Sequence, residues 1–513
     1  MQSSARWARG DEPALVGNLT SNDFVEDTEV RPDNGGPGRS GAGRQTRRRA
    51  RRPFPARARL LAVIAALAAI LLAAGCSSSS STGSASGSTA SSTASGSAAA
   101  APAGSAAPAS DVGITATTIR VAMIADVNTS VQPGLFQKSV NAVKAWADIV
   151  NANGGLAGRK VVVDFCDSKL DPNATTNCVI QACQNDFAMV GTSANALEDL
   201  SDIDGCKNAQ GKAIGIPNLA AFAFPPLSCD PDTYLAVGLG PYCATAKQNP
   251  PTYTVPVGDY RYFTTQDKGL HGIWLYDSDV PTFKITQVPE FQAGSNIGVK
   301  RDGQGFYAVS GEVPQSAMTP YTQAVRASGS TFVYDDTTMQ NMVLLRREAQ
   351  LQGVSSVKIW ECNSGCYGPS FYQQGGSAVN GTYVSLFELP YLSDYQDNTA
   401  LSKLVTQLGG VNNLDNNALN SYVMALLFQD AVQKAVANGG TLTRASLFTA
   451  LNDEHSFNAD GIIGATDIGK HTPSDCDVIA QLQNGVWKRV YPAQPGTFDC
   501  NSANLATIKM SVS

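Results

Sequence analysis

The sequence predicts an α/β protein of two doubly wound, Rossmann-like lobes joined by a multi-strand hinge. Three observations carry that reading. Short apolar runs stop at acids, as residues 121–125 stop at Asp126, which suits strands buried on both faces of a parallel sheet. Val140, Val143, Ala147 and Val150 then recur at helical spacing and end at Asn153-Gly154-Gly155, residues that accept the left-handed cap conformation. The same alternation restarts around Gly272, so the chain holds two α/β units. Sheets of this kind bind ligands at the carboxyl ends of their strands.

Residues 1–43 are polar and aperiodic, and are expected to be disordered or to precede the true start codon. Residues 44–75 read as an export signal. Eight arginines lie between 44 and 59, followed by the fifteen-residue apolar core LLAVIAALAAILLAA, too short to span a bilayer comfortably. Leu72-Ala73-Ala74-Gly75-Cys76 resembles a lipobox, which implies that Cys76 receives a diacylglyceryl group and becomes the mature N-terminus. Arg51-Arg52-Pro53-Phe54 also resembles a twin-arginine export motif. Residues 76–110 are almost wholly Ser, Ala, Gly and Thr; no core can be built from them, and as a coil they would hold the folded part roughly 30 Å from the lipid.

In the first lobe, strands are expected at 121–125, 161–165, 188–190 and 213–216, with a weak helix over 197–208. Residues 220–251 form a Pro- and Cys-containing excursion. The second unit brings strands at 273–276, 306–309, 331–334 and 357–360, the last ending at Glu361, and a helix over 339–351. Leu419, Tyr422, Val423, Leu426 and Val432 mark a helical face stopped at Asn438-Gly439-Gly440, and a short helix follows over 443–451. Asn484-Gly485 marks a hairpin turn in the tail. The lobes are drawn at 111–260 with 381–450, and at 261–380 with 451–513.

The 513 residues carry 37 Lys+Arg against 43 Asp+Glu, and the part after the signal carries 25 against 36. Such an acidic balance argues against nucleic acid as a partner. Three histidines, well separated, give little basis for a metal site or a triad. Of eleven cysteines, ten remain once Cys76 is set aside, and in an exported chain these read as five disulfides. Local pairing predicts Cys229 with Cys243, Cys362 with Cys366 and Cys476 with Cys500. There is no Walker loop, HExxH or EF-hand loop, so no cofactor, nucleotide or metal is expected.

The opening TTIRVAMIAD, the helix KAWADIVNANGGLAGRK and the strand end DSKLDP resemble the solute-binding lipoproteins of branched-chain-amino-acid-type ABC transporters, of type I periplasmic-binding-protein fold. The resemblance is strong over 113–200 and returns over about 380–490. It implies that residues 381–387 return as a strand into the first lobe. It also implies a small-molecule solute held between the lobes, an ABC permease as membrane partner, attachment to the outer face of the cell membrane through Cys76, and no enzymatic step. Family members hold a ligand carboxylate on a Ser/Thr-rich turn, matched here by Thr192 and Ser193, where free backbone N–H groups at a helix start would also suit an anion. A plain helix cap is the other reading of those two residues. Asp126 and Asn128 end the first strand at the cleft. Ala221 stands where the family offers a threonine, and Tyr422 matches only the aromatic of a Tyr-Asp-Ala triplet. Asp335 and Glu361 are the second-lobe candidates for a ligand amine, with Asn363 an alternative to Glu361.

The leading function is therefore a receptor that closes on an amino acid, amide or related acid. A sensor of the same fold is a second possibility. Gly191-Thr192-Ser193-Ala194-Asn195 nearly spells a nucleophile elbow, which leaves an extracellular serine hydrolase as the third.

Overall fold

The structure, a computed structural model, describes residues 110–129, 132–197, 199–224, 226–237, 250–279 and 281–512. The extension, the signal segment, Cys76 and nearly all of the tether lie outside the described residues.

The first sheet is parallel throughout. Its strands are β1 (Thr118–Ala125), β2 (Lys160–Asp167), β3 (Ala188–Thr192), β4 (Asn218–Ala220) and β5 (Thr233–Tyr234), in the order β2-β1-β3-β4-β5. Between them run α1 (Gln137–Ala152), α2 (Pro172–Asn185) and the single turn α3 (Ser201–Asp204). α1 buries the predicted face, and Gly154 and Gly155 take the positive φ values that end it. Asp171 caps α2, accepting from Ala174 N at 2.7 Å with Pro172 in the first turn.

Next come β6 (Thr252–Pro256), α4 (Gly258–Gln266), β7 (His271–Asp277), α5 (Pro281–Asn296), β8 (Lys300–Val309) and α6 (Thr319–Ser328). They are followed by β9 (Phe332–Asp336), α7 (Met339–Leu351), β10 (Ile359–Cys362), α8 (Pro369–Gly375) and β11 (Thr382–Leu386). The helices α9 (Tyr391–Asp394), α10 (Thr399–Gln407), α11 (Asn416–Val436) and α12 (Arg444–Asn452) precede β12 (Cys476–Gln483), β13 (Val486–Tyr491), β14 (Asp499–Cys500) and β15 (Leu505–Lys509). The second sheet runs β13-β12-β11-β10-β9-β7-β8, with β14 on β12, while β15 and β6 form a separate antiparallel pair. β8, β7, β9, β10 and β11 are parallel; β12 runs against them, and β13 turns back against β12 through a hairpin in which Asn484 and Gly485 both have positive φ.

Helices α1 and α11 meet over the first sheet, with Trp146 edge-on to Phe428 at 6.0 Å and donating from Nε1 to Gln429. The second sheet packs on Tyr260, Phe263, Trp274, Phe291 and Phe332. Arg444, wholly buried at the start of α12, donates to the carbonyls of Cys183, Asp186, Phe187 and Lys207. It thereby sews α12 to the end of α2 and the amino end of β3, the central strand of the first sheet. Burial lowers its pKa to about 10, the carboxylates of Asp111 and Asp186 opposing that fall.

Four expectations are corrected. The helix over 197–208 is one turn only, since Gly205 follows directly and Cys206 is drawn back to α2 by its disulfide with Cys183. The fourth strand lies at Asn218–Ala220 instead of 213–216: Gly215 has positive φ and Pro217 carries no N–H, so pairing resumes only where Asn218 N donates to Asp232 O. Residues 381–387 do not return to the first sheet; β11 joins the second beside β10 and takes β12 on its other edge. Finally, β10 starts two residues later than expected, so Glu361 sits inside the strand and not beyond it.

The disulfides Cys362–Cys366 and Cys476–Cys500 form as expected, and Cys166–Cys178 and Cys183–Cys206 join them. Cys229 is also disulfide-bonded, and its expected partner Cys243 lies outside the described residues.

Candidate functional site

A cleft of about 340 Å3 opens where the carboxyl ends of both sheets face each other. Asn195 follows β3, and Phe222 and Phe224 follow β4. Asp336, Cys362 and Phe387 stand at the ends of β9, β10 and β11. The amino ends of α4 and α11 and the start of β12 supply Asp259, Asn416 and Asp477.

The two sides differ in chemistry. On the first-sheet side Phe136 lies 5.1 Å from Phe222, and Phe222 lies 6.0 Å from Phe224. That row reaches α5 through Phe224 and Phe283, 4.7 Å apart. The other side gathers carboxyls. Burial pushes Asp336 up to about 8, with the charges of Asp335 and Asp277 adding to the rise. Burial likewise pushes Asp259 up to about 6 and Glu388 up to about 7. Burial and then the charge of Asp259 hold Asp477 well above the carboxylate range, and the same two causes act on Glu361. Asp477 is brought close by Gly258, where a Cβ would stand 2.1 Å from the Asp477 carboxylate.

None of the eight residues expected to bind ligand lies in this wall. Asp126 is buried and accepts from Ser168 Oγ at 2.6 Å, Leu170 N at 2.7 Å and Asn195 N at 2.8 Å, so it fixes three loops to one another. Asn128 spends its amide on Asp167 at 2.6 Å. Thr192 Oγ1 donates to Asn218 inside the sheet. The backbone N–H of Ser193 donates to Ile124 O, and its hydroxyl faces Gly191 O and Ser421. No helix starts at 193, so the expected anion turn is already closed by the sheet. Ala221 N donates to Thr192 O, and Tyr422 hydroxyl reaches Ala400 O behind the cleft. Asp335 accepts from the N–H and hydroxyl of Thr337, while Glu361 is buried beside Asp259, behind the lining.

Near neighbours of the candidates do reach the wall: Asn195, Phe222, Asp336, Cys362 and Asn420. Gln287 was missed because α5, interrupted by Pro289, has no amphipathic pattern to betray a helix. Asp477 left a signal, an acid within the apolar run CDVIAQL, which a search for charges inside strands would have found.

The hydrolase reading loses its residues. Ser193 is paired with Ser421, and the three histidines are engaged elsewhere: His271 with Asp302, His455 with Asp467, His471 against the ring of Tyr234. Among the described residues no helix is long and apolar enough to cross a membrane.

The sequence model described as "Periplasmic binding protein" matches residues 118–234 and 295–486. The chain belongs to that family. A binding protein, not an enzyme, is what its family membership makes it. Solved structures share the binding protein's fold at low identity. A fatty acid ABC transporter substrate-binding protein from Thermomonospora curvata aligns with TM-score 0.58 and 17% identity, covering 77% of this chain and 99% of its own. An ABC transporter substrate-binding protein from Aeropyrum pernix gives 0.57 and 17%, covering 75% and 97%. A leucine-binding protein from Thermotoga maritima gives 0.55 and 15%, covering 72% and 97%. No curated protein sequence matches.

Proposed function

We propose that this is the solute-binding component of an ABC importer, lipid-anchored through Cys76 on the outer face of the cell membrane and delivering its solute to a permease. Family membership gives the fold class. The observation that carries the reading is the cleft of about 340 Å3 at the strand ends of both sheets, lined by phenyl rings and polar side chains. Lobe one comprises the first sheet with α1–α3, α11 and α12, and lobe two comprises the second sheet with α4–α8; closure between them traps the solute. The export signal, Cys76 and the tether support the anchor.

Two measurements test this. Thermal unfolding of the mature protein against amino acids, amides, amines, sugars and organic acids should show one class raising Tm by several degrees, since a ligand at 100 Kd adds about 2.7 kcal/mol. A panel that leaves Tm unchanged throughout removes the receptor reading. Mass spectrometry of the membrane fraction should find a diacylglyceryl peptide beginning at Cys76, and an N-terminal peptide running through Cys76 without lipid removes the anchor.

A further inference from the structure

We propose that the cleft takes an organic cation, a small amine or ammonium with an apolar body and no carboxylate. This rests on the receptor reading and names its ligand class. Three independent features of the wall point the same way.

The first is sign. Among the described residues the wall contains six acids, Asp259, Glu290, Asp336, Glu388, Asp475 and Asp477, and no Lys, Arg or His. Arg261, whose charge acts on Asp477, is engaged by Asn504. A ligand carboxylate would meet no cation here, and the turn expected to bind one has its N–H groups committed to Ile124 and Asp126.

The second is hydrogen-bond polarity. Gln287, only 5% exposed, donates from Nε2 to Asp336 O at 2.7 Å, which fixes the amide orientation and leaves Oε1 at the wall with no donor among the described residues. Asp477 Oδ1 is likewise buried without a donor. The Gln287 amide oxygen can only accept. A ligand that satisfies it must bring a donor, as an ammonium does, and an unmatched buried acceptor disfavours a ligand such as a carboxylate that brings none.

The third is the row of rings from Phe136 to Phe283. Phenyl faces attract cations and cover apolar groups, so the body of an aralkyl or alkyl ammonium has a surface to lie on while its head reaches the acids.

Isothermal titration of the mature protein at pH 7.5 tests this with four probes of shared skeleton: phenethylamine, phenylalanine, 3-phenylpropionate and 2-phenylethanol. Phenethylamine should bind at least about tenfold tighter than the other three. Asp336→Asn and Gln287→Met, each checked for unchanged cooperative unfolding, should lower its affinity by about tenfold. Preference for phenylalanine or phenylpropionate overturns the proposal, as does binding of none of the four. If the amines fail while another solute class raises Tm, only the cation assignment falls. If no solute of any class binds, the receptor reading falls with it.

Discussion

The strand ends of the two sheets solve the same problem in opposite ways. In the first sheet, Asp126, Thr192 and Ser193 are buried, and each is satisfied by its own chain: Asp126 by three donors, Thr192 by Asn218, the Ser193 N–H by Ile124. In the second, Asp335 Oδ2, both Glu361 oxygens and Asp477 Oδ1 are buried with no donor among the described residues. One set of acids holds the fold together; the other is held by it at a cost. Polar residues that look alike in sequence are thus satisfied by their own chain at one set of strand ends and left without donors at the other.

The sharpest way to break this comparison is to remove an acid from each side. Asp126→Ala strands two backbone N–H groups and the Ser168 hydroxyl, and should lower the unfolding free energy by about 3–5 kcal/mol in urea titrations. Asp336→Asn should leave that quantity unchanged or raise it at pH 8. Equal losses from both would show that the two sides are alike.

The second test is pH. Asp336, Asp335, Glu388 and Asp259 have folded-state pKa values of about 8, 7, 7 and 6, all raised by burial above their unfolded values. The native state therefore keeps protons that the unfolded chain has released, and stability present at about pH 4 is lost as pH climbs through those values. The groups around them are Glu290, Glu361, Asp477 and Tyr334 on other elements, with Arg261 the opposing charge. The unliganded protein should lose about 2–4 kcal/mol between pH 5 and pH 8, and Asp336→Asn should flatten that slope. A stability that rises across the interval would contradict the assignment of these carboxyls as protonated.

A third test concerns the aromatic side. Phe283→Ala should weaken phenethylamine binding by about tenfold, or about 1.4 kcal/mol, with cooperative unfolding retained. The smallest effect is expected from Ser193→Ala. Its hydroxyl contacts are 3.1 and 3.3 Å long and lie behind the wall, so the loss should stay under about 1 kcal/mol with ligand affinity unchanged. A tenfold loss of affinity would restore the serine turn as a binding element.

Much of the fold was legible in the sequence because its strands are short, apolar and ended by acids or glycine. Residues 121–125 and the helix over 339–351 needed nothing but periodicity. Part of the site was legible to within one or two positions, while Asp259, Gln287 and Asp477 stand near none of the candidates. Side chains alternate along β10, so where Cys362 meets the cleft its neighbour Glu361 does not. Nor can sequence say whether a buried serine N–H is free, because the answer lies in Ile124, 69 positions away from where Ser193 is read. The strand β11 was misplaced for a related reason: its pairing with β12 is decided by partners such as Val478, which stands opposite Leu386 from far along the chain.

The contact between Phe224 and Phe283 has a consequence for timing. Phe224 belongs to the loop after β4 and Phe283 to α5, so in the proposed receptor the rings, 4.7 Å apart, would part company when the lobes swing open. Exposing such a pair costs about 1 kcal/mol, which tilts the resting balance towards the shut form by about fivefold. A solute must wait for that latch to lift before entering, and must wait for it again before leaving. Residence time, more than arrival rate, is then what these two rings set.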